Sequence, residues 1–491
     1  MSGTPGVDEL LARLALLEAA VAERDLLIAG LRAENAELRR RLGLDSSNSS
    51  RPPSSDSPWN KKPAKARSSR KRTGRKPGKQ AGDPGVSRSL SDNPNRVVPI
   101  EPHECSGCRA SLAGAPGTVA ERRQVVDLPP TPAPVITEYQ RLAKTCPCCA
   151  TVTTAAWADT ASDDVNADVI ATPGSPVRIG PQALAMCALL TCGHYLPVGR
   201  ASALLETLTG LHVATGFTAR ARRRAAKKLL ATFNPHIKGL LRNAPVLHAD
   251  ETTGRAAGAL AYVHVACTEY LTLMHVGGRS SDDIDNGGVL AEFTGVLVRD
   301  GYAGYQHLPA IHAWCGAHLL RDLRQVSDAD PDGQRWATAM AETLTGAHRA
   351  ACAARDRDQD RLDPSVLATL TNHYLAALAL GTADNLAHTS ELAGKARTLI
   401  RRFHRYQDMI LRFATDLTVP WTNNIAERDV RPVKIQQRTS GGCWRTLDGL
   451  TEFAVVHSYL ATATKWGKDK YQALTELFTT GAWLPPALAP S

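Results

Sequence analysis

Two short apolar runs that each stop at an aspartate constrain this chain more than any other feature. Val246-Leu-His-Ala-Asp250 and Val296-Leu-Val-Arg-Asp300 both read as buried β-strands. Side by side in one sheet, they project both carboxylates at the same edge, where ligands and chemistry collect in open α/β sheets. Two like charges there repel and raise each other's proton affinity. A divalent cation removes that cost. Two such ions held ~4 Å apart can activate an attacking oxygen and stabilise a leaving one in phosphoryl transfer. Hard ions of this kind, Mg²⁺ or Mn²⁺, take carboxylate oxygens rather than thiols.

A third carboxylate closes such a site, and Glu427 in PWTNNIAERDVRPVKIQQR is the best candidate. Asn423 or Asn424 can cap a helix opening there, with Glu427 in its first turns. Arg428, Arg431, Lys434 and Arg438 follow as phosphate contacts, and Pro432 predicts a kink or a restart. Glu251 adjoins Asp250 but points to the opposite face of a continuing strand, so it is left out. Cys315-x-x-His318, with His312 nearby, reads either as a metal-ligating set or as a buried structural pair.

With 491 residues the chain is too long for one core, and a multidomain α+β organisation follows. Residues 8–44 carry heptads with Leu14, Val21, Ile28, Asn35 and Leu42 at a, and Leu10, Leu17, Arg24, Leu31 and Leu38 at d. That pattern predicts a coiled coil, with Asn35 favouring two strands. Residues 45–100 form a Ser/Pro-rich linker that cannot bury a core. Its basic block is Lys61, Lys62, Lys65, Arg67, Arg70, Lys71, Arg72, Arg75, Lys76 and Lys79, which equals the whole net charge of +10. Such a block neutralises nucleic-acid phosphates.

Residues 101–157 hold Cys105-x-x-Cys108 and Cys146-x-x-Cys149, a pattern for one structural Zn²⁺. Cys148 lies inside the second knuckle, so the fourth ligand is Cys149 or this neighbour. Strands are expected at 124–128 and 135–142. Residues 176–240 read as helical and resemble a helix–turn–helix: Gly210 at the turn, Thr215 or Thr218 as cap, and Arg220, Arg222, Arg223, Arg224, Lys227 and Lys228 along the second helix. Residues 244–305 switch to strand pattern with a helix at 282–293, and 312–415 are helical. Residues 466–491 read as a tail. No signal-like apolar core follows Asp8 and Glu9, and the apolar run 183–192 is too short to span a bilayer, so a cytoplasmic protein is expected.

The segments LHADET, VLVRDGYAGY, HAWCGAHLLRDL and TNNIAERDVRPVKIQQR, in this order, resemble the signature blocks of the insertion-sequence-66 family of bacterial transposases. The zipper, the NSSRPPSSD stretch, the basic segment and the paired cysteines agree, so the resemblance covers nearly the whole chain. It implies a ribonuclease H-like catalytic core over 244–465, with catalytic Asp250, Asp300 and Glu427. The long gap before Glu427 reads as a helical insertion at 325–415, whose Leu367, Leu370, Leu375, Leu378 and Leu380 can bury a core of their own. The resemblance also implies Mg²⁺-dependent strand transfer at the ends of a mobile element, and accessory proteins. DNA contacts are expected from Lys61, Lys62, Arg70, Lys71, Arg72, Arg75, Lys76, Arg222, Arg223, Arg224, Arg431, Lys434 and Arg438. Two subunits joined through the coiled coil would suit a reaction on two DNA ends. TSGGCWRTLDG departs from the family, where many members carry an aromatic-rich block. Two other readings are a non-catalytic DNA-binding regulator and a structure-selective nuclease with the same core.

Overall fold

The computed structural model describes nine positions between Val21 and Leu38, and residues 89–127, 133–157 and 176–487. The basic-block residues Lys61, Lys62, Arg70, Lys71, Arg72, Arg75 and Lys76 lie outside the described residues, as does half of the heptad seam. The described heptad positions, Val21, Ile28, Leu31 and Leu38 among them, are helical and exposed. The chain divides into two compact units, Lys62–Pro134 and the remainder, Met1–Lys61 with Val135–Ser491.

The strands expected at 124–128 and 135–142 do not form among the described residues, and Val125, Val126, Val135 and Ile136 are exposed. An apolar run is only competent to be a strand; it becomes one when a partner supplies the ladder. The pairing occurs instead at the second cysteine knuckle. There β1 (Ala143–Thr145) and β2 (Val152–Thr154) run antiparallel.

The larger unit centres on a five-stranded mixed sheet. Its strands are β3 (Val246–Ala256), β4 (Ala259–Cys267), β5 (Thr272–Gly277), β6 (Val296–Arg299) and β7 (Ile311–Trp314), in the order β5-β4-β3-β6-β7. β3, β4 and β5 form an antiparallel meander; β6 and β7 run parallel to β3. The β3–β4 turn has two residues with positive φ, Ala257 at 51° and Gly258 at 81°. That is the twist a two-residue hairpin needs. Trp444, in the divergent TSGGCW segment, is buried and locks onto this hairpin: its N–H donates to Arg255 O (2.7 Å) and its carbonyl accepts from Ala257 N (2.9 Å).

Helices α1 (Pro181–Ala188, continued by a π turn to Gly193), α2 (Val198–Thr209), α3 (Thr215–Ala231) and α4 (Phe233–Arg242) share one hydrophobic core with the sheet. Gly210 ends α2 at φ 70°, as the turn requires. Neither threonine caps α3, however. Its N-cap is Ala214, and Thr218 is buried, its hydroxyl 2.8 Å from that of Ser202. At 282–293 only α5 (Ser281–Asp285) and a 3₁₀ turn form, because Gly287 and Gly288 interrupt the run.

Five helices follow β7: α6 (Gly316–Ala329), α7 (Arg335–Arg355), α8 (Pro364–Leu386), α9 (Glu391–Arg405) and α10 (Gln407–Thr415). They enclose a second core, running from Trp314 through Trp336, Met340 and Phe403 to Trp421. Leu378 is buried in it, and Leu367, Leu370 and Leu380 pack against it, but Leu375 is exposed. Residues 312–314, expected as helical, belong to β7 because β6 offers them a parallel ladder, and the helical block starts at Gly316, ahead of the 325 expected for the insertion. α8, with 23 residues, is long and apolar enough to cross a membrane by length and composition, which the shorter 183–192 run is not.

The chain closes with α11 (Asn424–Thr439), α12 (Leu447–Lys465) and α13 (Lys470–Phe478). α11 packs on β3 and β4 and runs through Pro432 as one helix. Burial of Val430, Val433 and Gln436 against the sheet outweighs the lost hydrogen bond. α12 covers the open side of the edge strand β5. Ser458 Oγ accepts from Met274 N (2.8 Å) and Thr462 Oγ1 from Thr272 N (3.1 Å), which satisfies backbone donors an edge strand leaves exposed. The segment 466–491, expected as a tail, contains α13, whose Ala473, Leu474 and Leu477 are buried in the first core.

Candidate active site

β3 and β6 pair in parallel with Val246 opposite Val296, Leu247 opposite Leu297 and His248 opposite Val298. Asp250 and Asp300 stand at the same offset, each two residues past the last pair of that ladder. Asp250 sits within β3, where its Oδ1 accepts from Glu251 N, and Asp300 orders the loop after β6, its Oδ1 accepting from Tyr302 N, both at 2.9 Å. Glu427 enters from the first turn of α11. Burial pushes the Asp250 carboxyl well above the usual carboxylate range, and the charges of Asp300, Glu251 and Glu427 push it further, against a smaller opposing effect of His318. The three acids named from sequence therefore share one electrostatic neighbourhood.

Asn423 joins the third acid to the first two. It is fully buried and stands at the N-cap of α11, but its side chain caps nothing. Instead Nδ2 donates to Ala249 O (2.7 Å), Oδ1 lies 3.0 Å from His248 Nδ1, and its backbone N–H donates to Cys315 Sγ (3.2 Å). Its own carbonyl accepts from Glu427 N at 3.2 Å. One residue thus ties the α11 N-terminus to the strand carrying Asp250 and to the β7–α6 junction.

Glu251, set aside on the alternation argument, belongs to the site's frame. Tyr305 Oη donates to its Oε2 (2.8 Å) and Arg279 Nη2 pairs with its Oε1 (2.9 Å). Arg279 also lies 4.0 Å over the Tyr302 ring, so Glu251, Arg279, Tyr302 and Tyr305 brace the loop after Asp300. Arg299, fully buried, braces it from below, donating from Nη1 to Asp300 O (2.8 Å) and Tyr302 O (3.1 Å). Only the Tyr302/Tyr305 spacing in GYAGY hinted at this frame.

Among the described residues one group of metal-ligating type clusters: Cys315, His318 and Glu427, with ligand atoms all within 4.8 Å of one another. His318 Nδ1 and Glu427 Oε1 are 3.7 Å apart, and each is buried without a hydrogen-bond partner. Orphaned polar atoms of this kind fit a bound cation. Burial opposes charging the His318 ring, but Cys315, Asp300 and Glu427 outweigh it and raise the ring to about 9. His312 stands apart: its Nδ1 accepts from Arg299 Nε at 3.0 Å, and burial and Arg299 lower it to about 4.

The two cysteine knuckles have the same local geometry. In the first, Cys105 N donates to Ala110 O and Arg109 N to Cys105 O, both at 2.9 Å, with Arg109 at φ 64°. In the second, Cys146 N donates to Thr151 O (2.8 Å) and Ala150 N to Cys146 O (2.9 Å), with Ala150 at φ 56°. The backbone amides of Cys108 and Gly107 hold the Cys105 thiol below its ordinary range, and Thr151 does the same for Cys149.

Of the basic residues expected on DNA that are among the described residues, two are turned inward. Arg222 is largely buried and its Nε donates to Glu452 Oε2 at 3.1 Å. Lys434 Nζ donates to Thr253 O and Oγ1, and burial followed by Arg438 lowers its ammonium. Arg223, Arg224, Arg431 and Arg438 are exposed, Arg223 while also bound to Glu452. Beyond the α11 N-terminus, a cavity of about 440 Å³ is lined by His348 and Arg355 of α7 and by Pro420, Trp421, Thr422 and Asn424.

Comparison with known proteins agrees with this architecture. Residues 8–89 match a family of unknown function (DUF6444). No curated protein matches the chain. Residues 176–451, which span the helices before the sheet, the sheet itself, the helical block and α11, match the Transposase IS66 family. That match covers more than half of the 491 residues, and the chain belongs to the IS66 family of transposases.

Proposed function

We propose that the chain cuts and joins DNA at the ends of an insertion sequence by phosphoryl transfer, with Asp250, Asp300 and Glu427 as the catalytic carboxylates. The observation that carries this reading is geometric: β3 and β6 pair in parallel with Asp250 and Asp300 just beyond the ladder, and Asn423 ties the start of α11, which bears Glu427, to Ala249 beside Asp250. The strand order β5-β4-β3-β6-β7, with a meander followed by two parallel strands, supports a ribonuclease H-like core. The orphaned Glu427 oxygen and the mutual repulsion of the carboxylates suit a divalent cation. Asp250, Asp300 and Glu427 would hold Mg²⁺ or Mn²⁺ ions, which supply an activated oxygen and Lewis-acid stabilisation when bound.

The chain's own groups supply the placement. Asn423 holds Glu427 against β3, while Glu251, Tyr305 and Arg299 hold the Asp300 loop. Exposed Arg223, Arg224, Arg431 and Arg438 take DNA phosphates, together with the basic block at 61–79. The helical block lies beside the α11 start, where the α7 cavity opens, and helps hold DNA. Each cysteine pair, Cys105 with Cys108 and Cys146 with Cys149, suits structural Zn²⁺ through its thiolates, an assignment supported by the matched turns of the two knuckles. The heptad segment pairs two copies so that two DNA ends meet.

The test is an in vitro assay of the purified full chain on labelled DNA carrying the flanks of its own gene, with Mg²⁺ or Mn²⁺. Asp250→Asn is expected to abolish cleavage and joining while shifting DNA in a gel as the wild type does. An Asp250→Asn protein that cuts at the normal rate overturns the assignment.

A further inference from the structure

Cys315 and His318 are not needed for the carboxylate chemistry, yet they sit against one of its members. Cys315 is the buried N-cap residue of α6, and His318 follows in the first turn of the same helix. Glu427 faces them from the first turn of α11. We propose that Cys315, His318 and Glu427 bind one borderline transition-metal ion, of the Zn²⁺ or Co²⁺ type, in preference to Mg²⁺.

Four observations carry the inference. The first is distance. Metal–donor lengths of ~2.0–2.3 Å place the donors of a tetrahedral site roughly 3.3–3.7 Å apart. The His318 Nδ1–Glu427 Oε1 separation is already 3.7 Å, and all three donors lie within 4.8 Å. The second is satisfaction. Neither atom makes a hydrogen bond, and each faces the other at 3.7 Å, so one cation between them takes a lone pair from both. The third is support from outside the donor set. Asn423 N–H donates to the Cys315 sulfur and Asn423 O accepts from Glu427 N, so one buried residue touches one donor directly and fixes the backbone that carries another. The fourth is access. The His318 and Glu427 side chains are 28% and 31% exposed, so an ion can enter although Cys315 is fully buried.

The donor set decides the ion. Sulfur and imidazole select borderline metals, whereas Mg²⁺ needs an octahedron of oxygens. Glu427 thereby stands between two chemically unequal positions, an all-oxygen one toward Asp250 and Asp300 and a mixed one toward α6. This deepens the proposed catalytic reading through their shared Glu427.

The test reads metal binding directly. The full chain is stripped with a chelator, and Co²⁺ is titrated in under anaerobic conditions. The thiolate-to-cobalt charge-transfer absorption in the near ultraviolet is recorded. The paired cysteines of the knuckles also bind Co²⁺, so the signal is the difference between wild type and Cys315→Ser, and separately His318→Gln. Cys315→Ser should remove one cobalt equivalent and a one-thiolate share of the band. His318→Gln should weaken that equivalent by at least about tenfold, and it serves alone where Cys315→Ser fails to fold. Excess Mg²⁺ should not displace the ion.

Identical titrations for wild type and the variants overturn the proposal, as does ready displacement by Mg²⁺. Asp250→Asn separates the two readings, because it should lose strand cutting yet keep this cobalt equivalent. Loss of cutting in Asp250→Asn, with identical titrations in all proteins, leaves the catalytic reading standing and removes this one.

Discussion

Truncating Asn423 to alanine should both destabilise the fold and loosen the candidate site. Asn423 is fully buried, and its amide serves Ala249 O at 2.7 Å and His248 Nδ1 at 3.0 Å. Asn423→Ala leaves these two buried groups without a partner. Each orphan costs about 1–3 kcal/mol, so the expected loss of unfolding free energy is about 2–6 kcal/mol before any cavity term. His248 cannot recover by charging, because burial lowers its ring below the ordinary histidine range. The α11 start loses its hold on the strand carrying Asp250, so Glu427 should sit less firmly. Urea unfolding followed by tryptophan fluorescence measures the first effect. The metal concentration at half-maximal DNA cleavage measures the second. Cleavage by Asn423→Ala should need several-fold more metal and recover in part at saturation, whereas Glu427→Gln should stay inactive at every concentration. The exposed neighbour serves as control, with Asn424→Ala expected to change stability by less than about 0.5 kcal/mol. Unchanged stability and unchanged metal dependence in Asn423→Ala would refute the clamp.

Two further outcomes follow from packing and burial. A Cβ on Gly316 would lie 2.3 Å from the Trp421 ring, itself stacked 5.2 Å from His348 and edge-on to Phe413. Gly316→Ala should therefore cost about 1–3 kcal/mol of overpacking and blue- or red-shift the tryptophan emission; a neutral effect on both would show that this wall is soft. His457 lies fully buried between α12 and the π turn, and burial lowers it to about 4 against a weaker opposing hydrogen bond at Cys192 O. A ring whose folded value lies below its unfolded value of ~6.5 gives stability that is present above pH ~6.5 and lost as the pH falls toward 4, worth about 3 kcal/mol at ~1.4 kcal/mol per unit. Unfolding free energies measured across that window should decline with acid in the wild type and more shallowly in His457→Gln; parallel declines would discount the ring.

Much of the site is legible in the order of residues alone. Alternation and apolar runs are local properties, so β3, β4, β5 and β6 stand out, and Asp300 directly follows the end of β6; Asp250 instead lies inside β3, because pairing with β4 carries that strand on to Ala256. The Gly210 stop is likewise set by neighbours in sequence. Where the local reading fails, a partner far along the chain has intervened. Glu251 does alternate away from Asp250, yet Tyr305 and Arg279, 54 and 28 residues away, fold that face into the site. Arg222 and Lys434 carry charge suited to DNA, but Glu452 and Thr253 claim their donors. Asn423 has the composition of a cap and works as a clamp, because β3 offers it better partners than its own helix does. Residue identity alone determined which chemistry the chain could perform: carboxylates for hard ions, thiols and imidazole for softer ones, arginines for phosphates. Only the tertiary structure decided which of those groups meet, because hydrogen bonds and charge coupling depend on separation in space and are blind to separation along the chain.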